Sequence, residues 1–533
     1  MAYYQDLRQY LKTLDDAGLL VRLKRPINKD TELLPLVRLQ FRGLPEKQRK
    51  AFIFDNVVDS KGKKYDIPVV VCALAASTRI YSLGLMCRPE EIPDKLVKAQ
   101  ANPIPPKMVK GGPVQEVVYQ GAQLLERGGL EEFPAFISTP GYDCAPYITA
   151  PYWVTKDPEN GIRNVGTYRA QYKSPTRLGI NFSYLFQGAY VHWRKCKERG
   201  IPLQAAMVIG GPPSIGYVGV SRFPQNVDEF GVAGALAGEP LELVKCKTVD
   251  LEVPAQAEVV IEGELTTREL EPEAPFGEST GVVGLEEIWP YFTVKCITHR
   301  KDPIWLSFLS QYPPSESSKI RQHSNEGVVL RHLRDELKMP FVRQIAVHDP
   351  IGSNRYWVIR VAKTEPANVW RALEALGNRF QNAKVIVAVD EDINPEDPEA
   401  VNWAICHRMQ PHRDVRIVTY TTASLMDPSI VSMEEQDRIK EGGMKDMPQT
   451  SRLMIDTTMK WAYPLISLPT KEYMDRAIQI WQEEGLPELE LKEPVWGRNL
   501  GRWSKEDEQK AQWAVKGDYR KTGEAQAKRR RPA

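Results

Sequence analysis

The segment Tyr291-Phe-Thr-Val-Lys-Cys-Ile-Thr298 alternates apolar with more polar side chains, which is the pattern of a half-buried β-strand. Three more stretches around it are predicted strands, separated by clusters of glycine and proline: Val154–Asn164, Ala205–Ile209 and Val259–Leu265. A clear helix, Tyr190–Arg199, interrupts these strands. Many short strands with one helix predict a barrel-like or sandwich-like β domain in the middle of the chain.

Segments that alternate helices with strands flank this β region on both sides. Before it, an amphipathic helix covers Leu7–Leu14, and short apolar runs follow. After it, the stretches Lys384–Val389, Pro398–Met409 and Val415–Tyr420 predict a βαβ unit with a buried parallel strand. We therefore expect a mixed α/β chain in four parts: an N-terminal α/β domain (1–114), the central β domain (115–325), a C-terminal α/β domain (326–495) and a polar, basic extension (496–533).

The composition is that of an ordinary globular protein of 533 residues, with 71 Lys and Arg against 69 Asp and Glu. The formal net charge of +2 gives no reason to expect nucleic acid or an anionic membrane as a partner. No apolar stretch approaches the ~18 residues of a membrane span, and the N-terminal sequence lacks the features of a secretory signal. Seven scattered cysteines without a CxxC pair predict reduced thiols, so we expect a cytoplasmic enzyme.

Common catalytic signatures are missing from this sequence. It contains no glycine-rich dinucleotide or P-loop motif, no HExxH zinc motif and no GxSxG serine elbow. The acidic run Asp390-Glu-Asp-Ile-Asn-Pro follows a buried strand and either binds Mg²⁺ or caps the helix that begins near Pro398. We favour the capping interpretation, because it is the commoner role of such loops.

The loop Leu270-Glu-Pro-Glu-Ala-Pro-Phe-Gly-Glu-Ser-Thr-Gly281 is the richest candidate for catalysis. Its prolines stiffen it and its glycines let it turn, so Glu273 and Glu278 can point toward one place. Carboxylates that lie close together repel, which raises the pKa of one of them and suits a general acid. The alternative is an acidic turn exposed to solvent.

A second candidate is Arg163-Asn-Val-Gly-Thr-Tyr-Arg-Ala-Gln171, which alternates like a strand. Asn164 and Arg169 are five residues apart, so a regular strand would place them on opposite faces unless it bulges at Gly166. An arginine near clustered carboxylates can bind a substrate acid through its two-pronged guanidinium. The alternative is a surface arginine.

These two segments, in this order and about a hundred residues apart, resemble the UbiD-like family of reversible decarboxylases. The resemblance runs from about residue 5 to 470. It implies an N-terminal α/β segment, a split β-barrel that binds flavin, and a C-terminal α/β oligomerisation domain, assembled as a homodimer or homohexamer. Further segments carry it: Glu229-Phe230, 233–246, 251–260, 389–395 and 426–429.

The resemblance also implies the cofactor and the catalytic residues. Members of the family use prenylated FMN, which a flavin prenyltransferase supplies. Loss of CO₂ from an sp² carbon leaves a carbanion that no side chain can delocalise, so a cofactor has to accept the electrons. By resemblance, Arg169 pairs with the substrate carboxylate, Glu278 protonates the carbon that loses CO₂, and Glu273 holds Arg169.

A divalent metal and K⁺ at the flavin phosphate are implied in the same way. Mn²⁺ is expected, with Mg²⁺ or Fe²⁺ as alternatives. Asn164 and Glu229 match two ligands of the family, but Gln187 stands where the family has histidine, and His192 remains an alternative ligand. The predicted cofactor contacts are Asn164, Thr167, Tyr168, Arg169, Gln187 and Glu229.

The resemblance leaves the substrate open. An aromatic or heteroaromatic acid is expected, either free or as an aryl-CoA thioester such as phthaloyl-CoA, and CO₂ is the co-substrate in the carboxylation direction. Tyr168, Phe182 and Tyr184 either line the pocket or pack in the core, and we favour the core. One alternative is a catalytically silent flavin-binding subunit of a multi-subunit carboxylase, and another is a flavin reductase.

Overall fold

The computed structural model describes residues 2–182, 187–221, 223–348, 355–422, 425–441, 445–497 and 500–532. The fold is mixed α/β with a central split β-barrel, as expected. The two largest apolar cores of the described residues lie one after the other in the chain, the first ending at Ile320 and the second beginning at Val328. A single helix carries both of these residues, so it links the two cores.

The N-terminal part starts with the predicted amphipathic helix, whose apolar side chains Leu7, Tyr10, Leu11 and Leu14 are buried. Asp6 caps this helix by accepting a hydrogen bond from the Gln9 N–H at 2.9 Å. The elements are α1 (Leu7–Asp16), β1 (Leu20–Leu23), β2 (Ile27–Asn28), α2 (Leu33–Gly43), β3 (Ala51–Phe54), β4 (Val57–Val58), β5 (Lys64–Tyr65), β6 (Val69–Val71), α3 (Thr78–Leu85) and α4 (Ile92–Ala101). Short 3₁₀ turns lie at Glu46–Gln48 and Pro89–Glu91.

The central part is dominated by one large sheet with helices packed against it. Its first elements are β7 (Lys107–Met108), β8 (Val117–Gln120), α5 (Ala122–Glu126), β9 (Tyr147–Ile148), β10 (Tyr152–Lys156), β11 (Arg163–Thr167), β12 (Ala170–Ser174), β13 (Arg177–Ile180), α6 (Gly188–Glu198), β14 (Leu203–Ile209), α7 (Pro213–Val220) and α8 (Glu229–Ala237). They are followed by β15 (Glu242–Lys245), β16 (Glu252–Pro254), β17 (Val259–Leu265), β18 (Glu271–Glu273), β19 (Phe276–Gly277), β20 (Val283–Gly284), β21 (Glu287–Trp289), β22 (Tyr291–His299) and β23 (Trp305–Ser307).

The predicted half-buried strand, β22, lies inside this sheet and pairs with three other strands. The strand order is β11-β10-β14-β17-β22-β13-β12-β9, and β8 also pairs with β22. Strand β22 therefore pairs with β17, β13 and β8, all antiparallel. The predicted strands at 205–209, 259–265 and 291–298 are confirmed as β14, β17 and β22.

The prediction of one strand at Val154–Asn164 is wrong. The stretch contains two antiparallel strands, β10 and β11, with a turn between them. Asp157 closes the turn by accepting a hydrogen bond from the Glu159 N–H at 2.9 Å, and Gly161 supplies a positive φ of 73°. Pro158 has no N–H to donate to a ladder, which favours a break at this point.

The C-terminal part contains a second α/β sheet, in the order β24-β25-β26-β28-β27. Its elements are α9 (Glu316–Arg331), a π-helical segment (His332–Glu336), β24 (Val342–Val347), β25 (Tyr356–Val361), α10 (Pro366–Arg379), β26 (Val385–Asp390), α11 (Pro398–Arg408), α12 (Pro411–Asp414), β27 (Val415–Thr421), α13 (Met433–Glu441), β28 (Gln449–Asp456), α14 (Lys471–Glu483), α15 (Lys505–Val515) and α16 (Tyr519–Ala527).

The predicted βαβ unit of β26, α11 and β27 is wrong. Strand β28, which comes later in the chain, lies parallel to β26 and separates it from β27. Strand β27 is antiparallel to β28 and forms the sheet edge, where Ile417 is 71% exposed. The parallel neighbours are β25 and β26, which α10 connects.

The acidic run after β26 caps a helix, as we favoured. Asp397 accepts a hydrogen bond from the Glu399 N–H at 2.9 Å at the start of α11. Arg408 binds Asp392 at 2.5 Å and Asp390 at 3.1 Å, so both carboxylates have a cationic partner within the protein. Across the described residues, no group of three or more His, Cys, Asp or Glu side chains is arranged to hold a metal ion.

The predicted extension at 496–533 is polar but partly helical, with α15 and α16 exposed to solvent and packed against each other. None of the helices in the described ranges has the length and apolar character needed to cross a lipid bilayer. The four domain boundaries remain a prediction. Strand β23 nevertheless pairs with β6, so the end of the central part is joined to the N-terminal sheet.

Candidate functional site

A cavity of about 960 Å³ lies where α9 passes between the two cores. Residues of β11 and the loops after β11 and β13 form one wall. Residues of α9, the π-helical segment and the end of α10 also line the cavity. A volume in this range accommodates a cofactor together with a small substrate. Most of the predicted site residues line it: Asn164, Thr167, Tyr168, Arg169, Gln187, Glu229 and Glu278.

The structure brings Arg169, Glu273 and Glu278 together. Arg169 Nε donates to Glu273 Oε1 at 2.8 Å and Nη2 donates to Glu273 Oε2 at 2.6 Å, which is a two-pronged ion pair. Its third nitrogen, Nη1, donates to Glu278 Oε1. The guanidinium therefore lies between the two carboxylates and offsets part of their combined negative charge.

Arg169 reaches this position because the strand ends before it. Strands β10 and β11 pair in regular register through Thr167, without a bulge at Gly166. Arg169 follows in the connection to β12, outside the alternation of β11. The constraint that a regular strand would place Asn164 and Arg169 on opposite faces therefore does not apply.

The acidic loop turns between β18 and β19, so Glu273 and Glu278 point to one place. Ala274 has a positive φ of 83° at this turn. Asp143 holds the far side of the loop by accepting a hydrogen bond from the Gly277 N–H at 2.8 Å. The Phe276 ring packs 5.0 Å from the Arg169 guanidinium carbon, which adds a cation–π contact. The loop is thus fixed on both sides of the guanidinium.

Burial strengthens this network. Glu273 is only 1% exposed, and Asn181 Nδ2 donates to its Oε2 at 3.2 Å. Burial by itself would lower the pKa of Arg169, but the neighbouring Glu273 carboxylate outweighs it, so that pKa is raised. Burial, with Glu273 nearby, raises the pKa of Tyr147. Arg169 therefore stays cationic and Tyr147 stays a neutral phenol at any physiological pH.

Asn164, Gln187 and Glu229 bring oxygen atoms to one end of the cavity. Glu229 Oε2 accepts a hydrogen bond from the N–H of Val165 at 3.0 Å. Because Val165 follows Asn164 in the chain, this bond holds Glu229 close to Asn164. A Cβ at Gly188 would lie 1.9 Å from Asn164 Oδ1, so the start of α6 approaches this side chain closely. Asn164 lies on β11, Gln187 immediately precedes α6, and Glu229 begins α8.

The chemistry of this set fits a hard divalent cation. Gln187 Oε1 is buried and finds no hydrogen-bond partner among the described residues. Burial raises the pKa of Glu229 to about 8, because it outweighs the hydrogen bond from the Val165 N–H, and the neighbouring Asp228 raises this pKa further. Carboxylate and amide oxygens are ligands of Mg²⁺ and Mn²⁺. A bound cation would therefore give Gln187 Oε1 a partner and would favour the ionised form of Glu229.

His192, the alternative ligand, is placed differently. It lies on α6, is 4% exposed, and is not among the described residues that line the cavity. Its Nδ1 is 2.9 Å from Thr155 Oγ1, and burial lowers its pKa to about 4. His192 is therefore a neutral, hydrogen-bonded core residue.

The predicted aromatic residues divide between cavity and core. Tyr168 lines the cavity and its hydroxyl lies 3.4 Å from Asn164 Nδ2. Phe182 is 1% exposed and packs edge-on against Trp289 at 5.8 Å, so the core interpretation is confirmed for this residue. Tyr184 lies outside the described residues.

Sequence reasoning missed Asn181 and the whole buried face of α9. Helix α9 begins at Glu316 and ends at Arg331. Its first turns, Ser315-Glu-Ser-Ser-Lys-Ile-Arg321, look like a solvent-exposed segment, yet most of them are buried. The signal was the capping pattern, because Ser315 and Ser318 bond each other's backbone N–H.

Comparison with known families matches this chain in two consecutive parts. Residues 107–313 match the UbiD family domain described as 3-octaprenyl-4-hydroxybenzoate carboxy-lyase Rift-related domain. Residues 323–457 match the corresponding C-terminal domain. The chain belongs to the UbiD family.

Relatives of this UbiD-family chain match over nearly its whole length. An uncharacterised protein of Synechocystis sp., sll0936, is 31% identical over 518 residues, which are 92% of this chain and 98% of the relative. An uncharacterised protein of Aquifex aeolicus is 32% identical over 517 residues, 91% of this chain and 99% of the relative.

Solved UbiD-class structures share the fold. An evolved dimeric form of HmfF from Pelotomaculum thermopropionicum, in complex with prFMN, is 30% identical with a TM-score of 0.75, covering 89% of this chain and 100% of that one. The closed form of vanillic acid decarboxylase from Sedimentibacter hydroxybenzoicus is 25% identical with a TM-score of 0.77, covering 90% and 100%.

Proposed function

We propose that this UbiD-family protein is a prenylated-FMN-dependent, non-oxidative and reversible decarboxylase of an aromatic or heteroaromatic carboxylic acid. The observation that carries the proposal is the guanidinium of Arg169 held between Glu273 and Glu278 at the wall of a cavity large enough for a flavin. A related structure, that of HmfF, holds prFMN, which supports the same cofactor here.

The residues at the end of the cavity suit a flavin phosphate and its metal ion. Asn164, Gln187 and Glu229 would hold Mn²⁺, with Mg²⁺ or Fe²⁺ as alternatives, and K⁺ would bind nearby. Two observations support this assignment: Gln187 Oε1 is buried without a hydrogen-bond partner among the described residues, and burial raises the pKa of Glu229. Thr167 and Tyr168 line the cavity between this end and Arg169, where they would contact the flavin. When bound, prenylated FMN accepts the electron pair that departing CO₂ leaves behind.

Each member of the charged network has a distinct task. Arg169 binds and orients the substrate carboxylate, since a guanidinium that stays cationic is a fitting partner for it. Glu273 is buried and holds two of the three donating nitrogens, so it fixes the direction in which Arg169 points. Glu278 touches the remaining nitrogen and faces the cavity, where it delivers a proton to the carbon that loses CO₂.

The reaction needs partners that the chain does not itself supply. A flavin prenyltransferase provides the cofactor, and CO₂ is released or consumed according to its concentration. The substrate is a free acid or an aryl-CoA thioester such as phthaloyl-CoA.

We further propose a cytoplasmic homodimer or homohexamer. Exposed apolar side chains on β27 and α14, such as Ile417 and Ile480, support assembly through the C-terminal part.

Co-expression with a flavin prenyltransferase tests the proposal. We expect purified protein to show a modified flavin spectrum, to contain a divalent metal, and to release CO₂ from at least one member of an aromatic-acid panel under anaerobic conditions. Flavin-loaded protein that exchanges neither CO₂ nor ring protons with any acid would favour the silent-subunit alternative. Oxidation of NADH with free flavin would instead indicate a reductase.

A further inference from the structure

The acidic loop contacts the segment of chain that leads into β9. The N–H of Gly277, the residue before Glu278, donates to Asp143 Oδ1 at 2.8 Å. Cys144, the next residue of that segment, donates from its N–H to the Pro275 carbonyl at 3.1 Å. Two consecutive residues of the segment therefore bind the backbone of the acidic loop just before the proposed proton donor.

The carboxylate of Asp143 is fixed because it also binds its own segment. Its Oδ2 accepts hydrogen bonds from the N–H groups of Ser138 and Thr139, at 2.9 and 2.7 Å. Hydrogen bonds to a charged carboxylate are stronger than those between neutral groups. A Cβ at Gly277 would lie 2.4 Å from Thr139 Oγ1, so the two segments approach so closely that glycine is required. Asp143 thus joins two closely packed stretches of backbone.

The same segment is also joined to the backbone that carries Arg169. Strand β9 pairs antiparallel with β12, and Ile148 lies opposite Ala170, the residue after Arg169. Asp143 comes shortly before Ile148 in the chain, so one short stretch contacts both sides of the charged network. It reaches the Arg169 side through the sheet and the Glu278 side through the Asp143 carboxylate. The stretch therefore sets how far apart the two backbones lie.

The distance between Arg169 and Glu278 matters because the two side chains act on neighbouring atoms of the substrate. In the proposed function, Arg169 holds the carboxylate that leaves, and Glu278 protonates the carbon to which that carboxylate was attached. Proton transfer needs the donor within about 3 Å of the atom that receives the proton. A displacement of about 1 Å, even one caused from a distance, can cost ~100-fold in rate. A support that is shared by both backbones is therefore a support for catalysis.

This inference rests on the decarboxylase function proposed above and adds one residue to it. We propose that Asp143 is a positioning residue that fixes Glu278 relative to Arg169 and so sets the rate of proton delivery. The described residues that line the cavity include Glu278 but not Asp143, so Asp143 acts through the Gly277 N–H and not by contact with substrate or flavin. Loss of the Asp143 carboxylate therefore slows the reaction while cofactor binding is retained.

Asp143→Asn in the holoenzyme loaded with prenylated FMN tests this role. The asparagine keeps the size of the side chain, but its Nδ2 cannot accept, so one side of the contact loses its acceptor. With the acid of the aromatic panel that the wild type decarboxylates fastest, we expect kcat to fall about 10- to 100-fold. KM and the Kd for FMN should stay within about threefold of the wild type.

Asp59→Asn is the matched control. Asp59 Oδ1 accepts the N–H groups of Lys61 and Lys63, both at 2.9 Å, in the turn between β4 and β5. A single oxygen makes both bonds, so the amide oxygen of asparagine can replace it. We expect this variant to keep the wild-type kcat.

An isotope experiment separates positioning from a general loss of structure. Exchange of ¹³CO₂ into the acid requires loss and return of CO₂ but no proton from Glu278. In Asp143→Asn, exchange should therefore keep a larger fraction of its wild-type rate than net decarboxylation does. Equal losses in the two rates, or a raised Kd for FMN with an unchanged kcat, would overturn the proposal.

Amide hydrogen exchange of the full-length, FMN-loaded protein tests the contact without any turnover. We expect the Gly277 amide to exchange at least about 10-fold faster in Asp143→Asn than in the wild type. Faster exchange in a protein whose wild type decarboxylates no acid would support the contact and contradict the proposed function. Unchanged exchange would contradict the role of Asp143, whatever the activity.

A second variant covers the case in which Asp143→Asn does not fold. Gly277→Ala disturbs the same contact from the side of the acidic loop, because its Cβ meets Thr139. It should lower kcat at least about 10-fold and leave the Kd for FMN within about threefold. A wild-type kcat in Gly277→Ala, or a wild-type Gly277 amide that exchanges like an unprotected one, would count against the proposal.

Discussion

The side chain of Arg169 makes three hydrogen bonds to two carboxylates, those of Glu273 and Glu278. These bonds indicate different roles for the two glutamates, although both lie in the same short acidic loop. Glu273 is 1% exposed and takes two of the bonds, whereas Glu278 takes one and also lines the cavity. A buried carboxylate with two ion-pair bonds is fixed in place. A carboxylate with one such bond and access to substrate is placed to exchange a proton.

Glu278→Gln is expected to abolish decarboxylation while leaving flavin bound. The amide has nearly the same size and still accepts a hydrogen bond from Arg169, but it has no acidic proton to deliver. We expect kcat to fall at least 100-fold. The measurements are CO₂ release and the flavin absorption spectrum. Glu286→Gln, at an exposed position of the same region, is the control. Full activity in Glu278→Gln would remove Glu278 from the mechanism.

Gln187→Ala is expected to weaken metal and flavin binding together. Gln187 Oε1 is a buried oxygen without a partner, and the three proposed ligands lose one member when it is removed. We expect about a 10-fold or larger loss of Mn²⁺ affinity, measured by metal analysis and FMN titration. His192→Ala is the comparison, because His192 is bonded to Thr155 instead. Unchanged metal content in Gln187→Ala with a loss in His192→Ala would reverse the assignment.

The residues of the site were predictable to different degrees. The prolines and glycines of 270–281 indicated that Glu273 and Glu278 could converge, which they do. Their partner, Arg169, lies about a hundred residues earlier, and strand alternation alone placed it on the wrong face relative to Asn164. Only the resemblance joined the two segments. Asn181 and Arg321 carry no local motif, since their positions depend on tertiary packing.

At the scale of secondary-structure elements, an ion pair joins the strand and the helix that carry two proposed metal ligands. Arg163 begins β11 beside Asn164, and Asp228 precedes Glu229 at the start of α8. Arg163 Nε donates to Asp228 Oδ2 at 3.1 Å, and Nη1 donates to Glu252 Oε2 at 2.9 Å. This pair therefore helps to set the distance between β11 and α8 at the end of the cavity.

Arg163→Met is expected to lower the affinity for Mn²⁺ and FMN by several-fold to about 10-fold, with little change in kcat of the fully loaded enzyme. Arg163 acts only by positioning Asn164 and Glu229. The measurement is a calorimetric titration of metal and FMN. Lys156→Met is the matched control, because Lys156 also pairs with Glu252, at 2.9 Å, but not with Asp228. Equal losses in both variants would assign the effect to Glu252 rather than to the Arg163–Asp228 pair.

A second ion pair ties α9 to the N-terminal part. Lys319 is 4% exposed and its Nζ lies 2.9 Å from Glu46 Oε2, while Glu46 Oε1 accepts from the Thr78 N–H at 2.7 Å. Burial tends to raise the pKa of Glu46, but Lys319 and the Thr78 N–H outweigh it and lower this pKa to about 2. A lowered carboxyl pKa stabilises the fold above the ordinary value of 4.5, and this contribution is lost as the pH falls from 4.5 toward 2.

Glu46→Gln is therefore expected to cost about 1 kcal/mol of unfolding free energy at pH 7, a figure reduced for the partial exposure of Glu46. The difference from the wild type should stay constant between pH 6 and 8 and shrink below about pH 4.5. Denaturant unfolding across this range measures it. Glu90→Gln, at an exposed ion pair with Arg88, is expected to change the unfolding free energy by less than about 0.5 kcal/mol. A difference in unfolding free energy between wild type and Glu46→Gln that grows as the pH falls would contradict a lowered pKa for Glu46.

Elements with strong periodicity were predictable, and those decided by distant neighbours were not. The alternation of 291–298 predicted β22, because one face of that strand is buried and the other is less so. The pairing of β27 depended on β28, which lies some thirty residues later, so the local strand-helix-strand order indicated the wrong topology. The polar start of α9 is buried through its hydrogen bonds and ion pairs, which apolar periodicity cannot reveal.

At the scale of the whole molecule, the cavity lies at the junction of two cores that a single helix connects. Ile320 belongs to the first core and Val328 to the second, and the cavity-lining residues Ser317 and Arg321 lie on the same helix. A mixed α/β chain with a central β region could be predicted from the order of the elements. The placement of a cavity between cores could not, because it depends on how α9 packs.

Because the cavity wall includes residues of both cores, ligands that fill it should stabilise the whole molecule. Adding FMN and Mn²⁺ at about 100 times their Kd contributes ~2.7 kcal/mol through binding to the folded state alone. For a chain of this size the expected increase in Tm is a few degrees, measured by calorimetry. Chelation of the metal should reverse part of it, and Gln187→Ala should show a smaller increase. Glu278→Gln should keep the full increase, because that carboxylate acts on the substrate and does not hold the cofactor. A Tm that FMN and Mn²⁺ leave unchanged in the wild-type protein would mean that the oxygen ligands at the end of the cavity do not bind them.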